Sequence, residues 1–249
     1  MRSQALLKTL KCLEALQRAG RPLGVKGISA ITNDTQSSVQ RAVYTLEALG
    51  YLEHGPDEAG YVPGPACLRP AYGYLRNNKL LEIATPYLVD LSDRFDVRCD
   101  LTVLEGKDVM YLARIPGRDE LLNLSFLGRR WPAIHTATGR AILSALPEAA
   151  RENVLATSIP SPITPRSNLD MTAIRAEIAE AQQLGYAKVL EEVLLGAASV
   201  AAPVYGKDGG VVGAVMIGGE VERFDALTKR QVFGDAVKRT AQAITAYGV

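Results

Sequence analysis

Two histidines, His54 and His135, three cysteines, Cys12, Cys67 and Cys99, and the adjacent Glu191 and Glu192 are the residues from which catalysis or metal binding would have to be assembled. His135 sits in "AIHTATG" without a "GxSxG" elbow or a metal-ligand cluster beside it, so it reads as a hydrogen-bonded or capping histidine. Glu191 and Glu192, if they lie on a strand, point to opposite faces and cannot flank one substrate together. "GKDGG" (206–210) lacks the GK[ST] ending of a phosphate loop and joins two β-rich runs, which makes it a turn. The cysteines are odd in number and far apart, which suits reduced thiols and gives neither a disulfide framework nor a zinc spacing. Neither metal nor cofactor is expected. Cys99 lies between Asp96 and Asp100, acids that disfavour a thiolate, and reads as a buried, inert thiol.

The chemistry that does stand out is on a helix. Residues 35–49, "TQSSVQRAVYTLEAL", place Val39, Ala42, Val43, Leu46 and Leu49 on one stripe at helical spacing. The opposite face carries Ser37, Gln40, Arg41 and Tyr44 instead of the usual Lys/Glu mixture. Arginine pairs bidentately with guanine and glutamine with adenine, and hydroxyls reach bases or phosphates. Ser37 and Ser38 lie near the helix start, where free N–H groups favour a phosphate. Gln36, Ser37, Ser38, Gln40, Arg41 and Tyr44, with His54 beyond the helix, are the candidate DNA contacts.

The surrounding elements would have to hold that helix. Ser3 can cap a first helix over "QALLKTLKCLEALQRAG", which Gly20 ends, and a short helix covers about 25–32. After the 35–49 helix, stopped by Gly50, "GYLEHGPDEAGYVPG" reads strand, turn, strand. Three helices and a two-stranded wing form a winged helix-turn-helix whose third helix reads the major groove.

The second half predicts an α+β domain. A helix over 80–96 would be bent or started by Pro86. "RCDLTVLEG" and "KDVMYLARI" form one hairpin, "SVAAPVY" and "VVGAVMIGG" another around "GKDGG". "ATGRAILSAL", "MTAIRAEIAEAQQLG" capped by Asp170, and a closing helix flank an antiparallel sheet.

Length and charge agree with two parts. The 249 residues are 47% hydrophobic and 22% charged, those of a globular chain. No apolar run is long enough for a membrane span and the start is unlike a signal peptide, which predicts a cytoplasmic protein. Residues 1–79 carry ten Lys/Arg against six acids, and residues 80–249 carry 18 against 21, so an anionic partner is expected for the first part alone. The expected division is residues 1–76 for DNA binding and 77–249 for the rest.

"RPLGVKGISA", "SSVQRAVYTLEALGYLE" and "GYVPGP" resemble the DNA-binding domain of the IclR family of bacterial transcription regulators. "GRRWPAIHTATGRAILSALP", "ITPRS" and "AEIAEAQQLGYAKVLEEVLLGAASVAAPVYGKDGGVVGAVMIGG" resemble its effector domain, and the likeness runs from about residue 4 to 247. It implies a winged helix-turn-helix, a linker helix, a GAF-like effector domain, a homodimer or dimer of dimers, operator DNA and a small-molecule effector as partners, and control of catabolic genes. It also implies an effector cup lined by His135, Thr136, Ala137, Thr138, Gly139, Val189, Leu190, Ser199, Met216 and Gly218. This chain departs from the family pattern at Val189 and Leu190, where acids are common, at Ser199, where cysteine is common, and in "VMIGG". The cup is therefore expected to be apolar and to suit an aromatic or otherwise hydrophobic metabolite, with Trp131 stacking on it and Arg114 or Arg130 meeting a carboxylate. A second reading stays open: a small-molecule enzyme or a thiol redox sensor fused to the helix-turn-helix.

Overall fold

A computed structural model describes residues 3–56, 59–117, 127–224 and 227–248. The chain divides into two compact units, residues 1–77 and 78–249.

The first unit is built on three helices. Helix α1 (Gln4–Ala19) is capped by Ser3 Oγ, which accepts the Leu6 N–H at 3.4 Å, and ends at Gly20 in the left-handed region. Helices α2 (Val25–Thr32) and α3 (Gln36–Ala48) follow, α3 capped by Thr35 Oγ1, which accepts the Ser38 N–H. Their apolar stripes meet around Leu16, Ile28, Val39, Val43 and Leu46, all nearly inaccessible. Each such side chain contributes roughly 1.5–3 kcal/mol by leaving water.

Strands β1 (Leu52–His54) and β2 (Tyr61–Pro63) pair antiparallel as a wing. Tyr61 also bridges to Leu23, between α1 and α2, which ties the wing to the helices. Gly60 makes this possible. Its φ is +120°, and a Cβ there would lie 2.6 Å from the Leu23 carbonyl carbon. Helix α4 (Leu68–Arg76) closes the unit and has no buried residue.

The second unit starts with α5 (Lys79–Phe95), capped by Asn78 Oδ1. Pro86 neither starts nor ends this helix, which continues on both sides of it. A six-stranded antiparallel sheet then forms from β3 (Arg98–Glu105), β4 (Asp108–Ile115), β5 (Arg130–Pro132), β6 (Ala187–Leu190), β7 (Ala197–Tyr205) and β8 (Val211–Glu220). Its order is β5-β4-β3-β8-β7-β6.

Alternation along each strand separates two cores. One face, with Leu101, Val200, Val215 and Ile217, packs against α5 and α10 (Leu227–Tyr247), the latter reached through the short α9 (Val221–Phe224). The other, with Val189, Ala201, Ala214 and Met216, packs with residues of α6 (Ala137–Ala145) and α8 (Met171–Leu184); α7 (Glu148–Thr157) joins these helices. Gly139 lets α6 start close to the preceding turn, because a Cβ there would collide with the backbone of Ala133. Among the described residues, no helix is long and apolar enough to cross a membrane.

Candidate DNA-reading face and effector cavity

On α3 the buried stripe is Val39, Ala42, Val43 and Leu46. Gln36, Ser37, Gln40, Arg41 and Tyr44 are exposed, Tyr44 by 71%, and Ser38 is half-buried beside the cap. Arg41 makes no ion pair with any described residue, so its guanidinium is not committed to a neighbour within the fold. His54 is placed differently from the others. Its Nε2 lies 3.1 Å from Glu47 Oε1, and its ring stacks on Tyr61 at 4.8 Å, so it braces the wing against α3. Asp57 and Glu58 in the wing turn lie outside the described residues.

In the second unit a cavity of about 150 Å³ opens between the sheet and the start of α6. Arg114, Trp131, His135, Thr136, Ala137, Val189, Ser199 and Met216, all expected from the sequence, lie in its wall. Four other expected residues do not. Leu190 follows Val189 on β6 and so faces the opposite core, beside the buried residues of α5 and α10. Thr138 and Gly139 are buried in the first turn of α6, behind the wall. Gly218 has no side chain to offer and sits under the guanidinium of Arg98.

Two buried charge clusters shape the cavity. Asp100, fully inaccessible, accepts from Arg114 Nε at 2.7 Å and Nη2 at 3.1 Å and from Arg98 Nε at 3.2 Å. Tyr111, in the same wall, has its phenol pushed up to about 12, first by burial and then by the charge of Asp100, so it stays protonated. Arg129 lies 4.5 Å over the Trp131 ring, a cation–π contact that fixes the indole. Arg130, its neighbour in "GRR", turns away to Glu105 and Asp108.

The second cluster is centred on Arg140, a 1% exposed arginine on α6. It donates to Glu192 Oε1 at 2.6 Å and Oε2 at 2.9 Å, to the Ile134 carbonyl at 2.8 Å, and pairs with Glu177 at 2.5 Å. The Ser161 N–H donates to His135 Nε2 at 3.1 Å, which assigns the ring proton to Nδ1, facing Glu192 Oε2 at 3.2 Å. Burial pushes the Glu192 carboxyl up, but the hydrogen bonds from His135 and Arg140, the Arg140 charge and the Asn168 N–H outweigh it and hold it below the ordinary range.

The strand premise for the two glutamates fails here. Glu191 adopts φ +58° past the end of β6, so both residues reach the cavity wall. Glu192 is nonetheless committed to Arg140 and His135. Cys99 is fully buried, and burial pushes the Cys12 and Cys67 thiols up, the opposite of what a reactive thiol needs. Among the described residues no group of His, Cys, Asp and Glu is arranged to hold a metal.

Family models match both units: the IclR helix-turn-helix domain over residues 5–56 and the bacterial transcriptional regulator IclR C-terminal domain over residues 72–246. The chain belongs to the IclR family. It is a DNA-binding transcription regulator with a ligand-binding C-terminal domain. It is 30% identical over 220 residues to the Pca regulon regulatory protein of Pseudomonas putida, covering 88% of this chain and 75% of that one. Among solved structures, it is similar to a transcriptional regulator from Rhodococcus sp. RHA1 (TM-score 0.78, 25% identity, 98% of each chain). It also shares the fold of an IclR homolog from Microbacterium hydrocarbonoxydans complexed with 4-hydroxybenzoate (TM-score 0.76, 22% identity, 98% of each chain).

Sequence reasoning missed Arg98, Tyr111, Arg129 and Glu192 in the wall and Asp100 and Arg140 behind it. One signal was available: Arg98 and Asp100 are two apart on a strand and so share a face. Their meeting with Arg114 depends on a bulge between Leu101 and Thr102 that shifts the β3–β4 register, and no residue pattern marks it.

Proposed function

We propose that this regulator controls catabolic genes in the cytoplasm, acts without catalysis, and responds to an aromatic or otherwise largely apolar small metabolite held in the cavity. The observation that carries the effector class is the cavity itself. About 150 Å³ bounded by Trp131, Ala137, Val189, Val193, Ala198 and Met216 is space for one aromatic ring against apolar walls. The 4-hydroxybenzoate held by the Microbacterium homolog and the Pca regulon controlled by the Pseudomonas relative point the same way.

On this reading Gln36, Ser37, Ser38, Gln40, Arg41 and Tyr44 face operator DNA, and His54 steadies the wing. A homodimer or dimer of dimers would cover α4, where Leu68, Tyr72 and Tyr74 are 70, 65 and 48% exposed. The test is a thermal-shift and calorimetry panel on the full chain, with aromatic acids and amides beside glyoxylate, pyruvate and malate. Aromatic compounds should bind and be recovered unchanged. Tight binding of the small hydrophilic acids with none from the aromatic set would refute the effector class.

A further inference from the structure

Residues 159–169, "IPSPITPRSNL", contain the "ITPRS" segment, which neither the exposed face of α3 nor the cavity wall uses. They lie between α7 and α8, and none of them is buried. Pro160, Pro162 and Pro165 have no backbone N–H, so the segment has few donors with which to build structure of its own. Instead, four of its residues donate hydrogen bonds to residues of the cavity wall. The Ser161 N–H meets His135 Nε2 at 3.1 Å, Thr164 Oγ1 the Glu191 carbonyl at 2.6 Å, Ser167 Oγ the Glu192 carbonyl at 2.7 Å, and the Asn168 N–H meets Glu192 Oε2 at 3.1 Å. Asn168 Nδ2 also reaches Glu177 Oε1 on α8. Three wall residues therefore carry the acceptors that hold the segment down. One of them is in a costly conformation: Glu191 has φ +58°, a region that residues with a Cβ seldom adopt, and the Thr164 bond to its carbonyl helps to keep it there.

We propose that residues 159–169 are a strap whose closure reports occupancy of the cavity. A ligand in the cavity packs against His135, Glu191 and Glu192, and fixing these residues fixes the acceptors on which the strap closes. When the wall shifts, the same bonds are lost together and the strap lifts. A segment without a buried side chain has little besides its hydrogen bonds to oppose opening, which places it at the low end of local stability. The coupling runs both ways: if the ligand favours the closed strap, the closed strap favours the ligand by the same factor.

The inference rests on the cavity being the effector site, but not on the effector being aromatic. Arg166 is the trypsin site within the strap, and its side chain is 71% exposed. The rate of cutting after Arg166 in the full-length protein, followed by mass spectrometry, reads how often the strap is open. Thr164→Val and Ser167→Ala, each short of a bond to the wall, should be cut about fivefold faster than wild type, the factor for a single hydrogen bond. No cut should appear over the same time after Arg140, 1% exposed on α6, where cutting would report unfolding of the whole unit. The probes are 4-hydroxybenzoate and pyruvate. Each, at about ten times the Kd found by calorimetry, should slow the wild-type cut about tenfold, because a ligand that needs the closed strap opposes its opening. Ser199→Phe puts a ring into the cavity without a ligand and should slow the cut as well. Slowing by pyruvate with no binding of 4-hydroxybenzoate would keep the strap and remove the aromatic reading. A probe that binds without changing the rate, or Thr164→Val and Ser167→Ala proteins cut no faster than wild type, would overturn the strap and leave the effector class standing. If neither probe binds, the aromatic reading falls and Ser199→Phe decides the strap: a slower cut supports it and an unchanged one overturns it.

Discussion

On α3 the groups offered to a partner come from residues 36–44 of a single helix, whereas the cavity gathers Arg98, Arg114, Trp131, Val189, Ser199 and Met216 from strands spread over more than a hundred residues. The first surface is polar and exposed, and α3 holds it by burying the other stripe. The second is a set of buried charges, each needing a partner from another element, because an unpaired charge in the interior costs several kcal/mol. The two should fail differently when one side chain is removed. An exposed face loses its partner and keeps its fold, while a buried cluster loses the fold around it.

The largest expected effect is therefore at Arg140. Arg140→Met leaves Glu192, only 6% exposed, without its two-point partner, and should destabilise the second unit by about 3–5 kcal/mol. Trp131 is the only tryptophan and lies in that unit, so the urea midpoint of its fluorescence reads the loss directly. Amide exchange in α3 should be unaffected. If protection in α3 falls by as much, the two units unfold as one block and the contrast drawn between them is wrong.

Leu190 sharpens the contrast between the two faces of one strand. Leu190→Asp places a carboxylate against the core of α5 and α10 and should cost about 2–3 kcal/mol of stability, with little change in affinity for any cavity ligand that the wild type binds. Val189→Asp should do the reverse to affinity, because Val189 lines the cavity. Equal losses of ligand affinity in the two variants would mean that the strand alternation does not separate cavity from core.

The parts legible in the sequence were those with a local period or a local stop. Ser3, Gly20 and Asp170 bound their helices where capping chemistry puts them, and the "EGKD" and "GKDGG" turns join antiparallel strands. The exposed polar face of α3 was legible because its composition departs from an ordinary solvated helix. The buried charges were not. Arg140 is one arginine in a helix that looks amphipathic, and its importance comes from Glu192, 52 residues later, turned inward by a left-handed Glu191. Gly218 read as a missing polar group because its role is to make space for Arg98, a neighbour that only the strand register reveals.

On the reading face itself, Arg41→Ala should weaken specific operator binding by about 1–3 kcal/mol, measured by competition between operator and unrelated DNA at fixed salt. The urea midpoint should stay at the wild-type value, since Arg41 is exposed and makes no ion pair with a described residue. A variant that unfolds earlier would show that the face also supports the fold. A variant that folds and binds with wild-type selectivity would remove Arg41 from the contact set.

The smallest and most graded effect is that of pH on the Arg140 cluster. The Glu192 carboxyl lies below its ordinary range in the folded protein, so on acidification the unfolded chain takes up the proton first. The stabilisation from this carboxylate is complete above the unfolded pKa, about 4.3 for glutamate, and is lost as pH falls through the lower folded value. Other carboxyls titrate in the same window, so the wild-type curve alone does not isolate Glu192. Glu192→Gln does, because it lacks the titrating group and keeps its shape. The gap between the Trp131 midpoints of wild type and Glu192→Gln should be constant from pH 7 to about 5 and should narrow below that, as the wild-type carboxyl becomes protonated and the two side chains become electrically alike. A gap that stays constant down to pH 3 would mean that the hydrogen bonds from Arg140, His135 and the Asn168 amide do not hold Glu192 in its charged form, and that the cluster is kept together by packing instead.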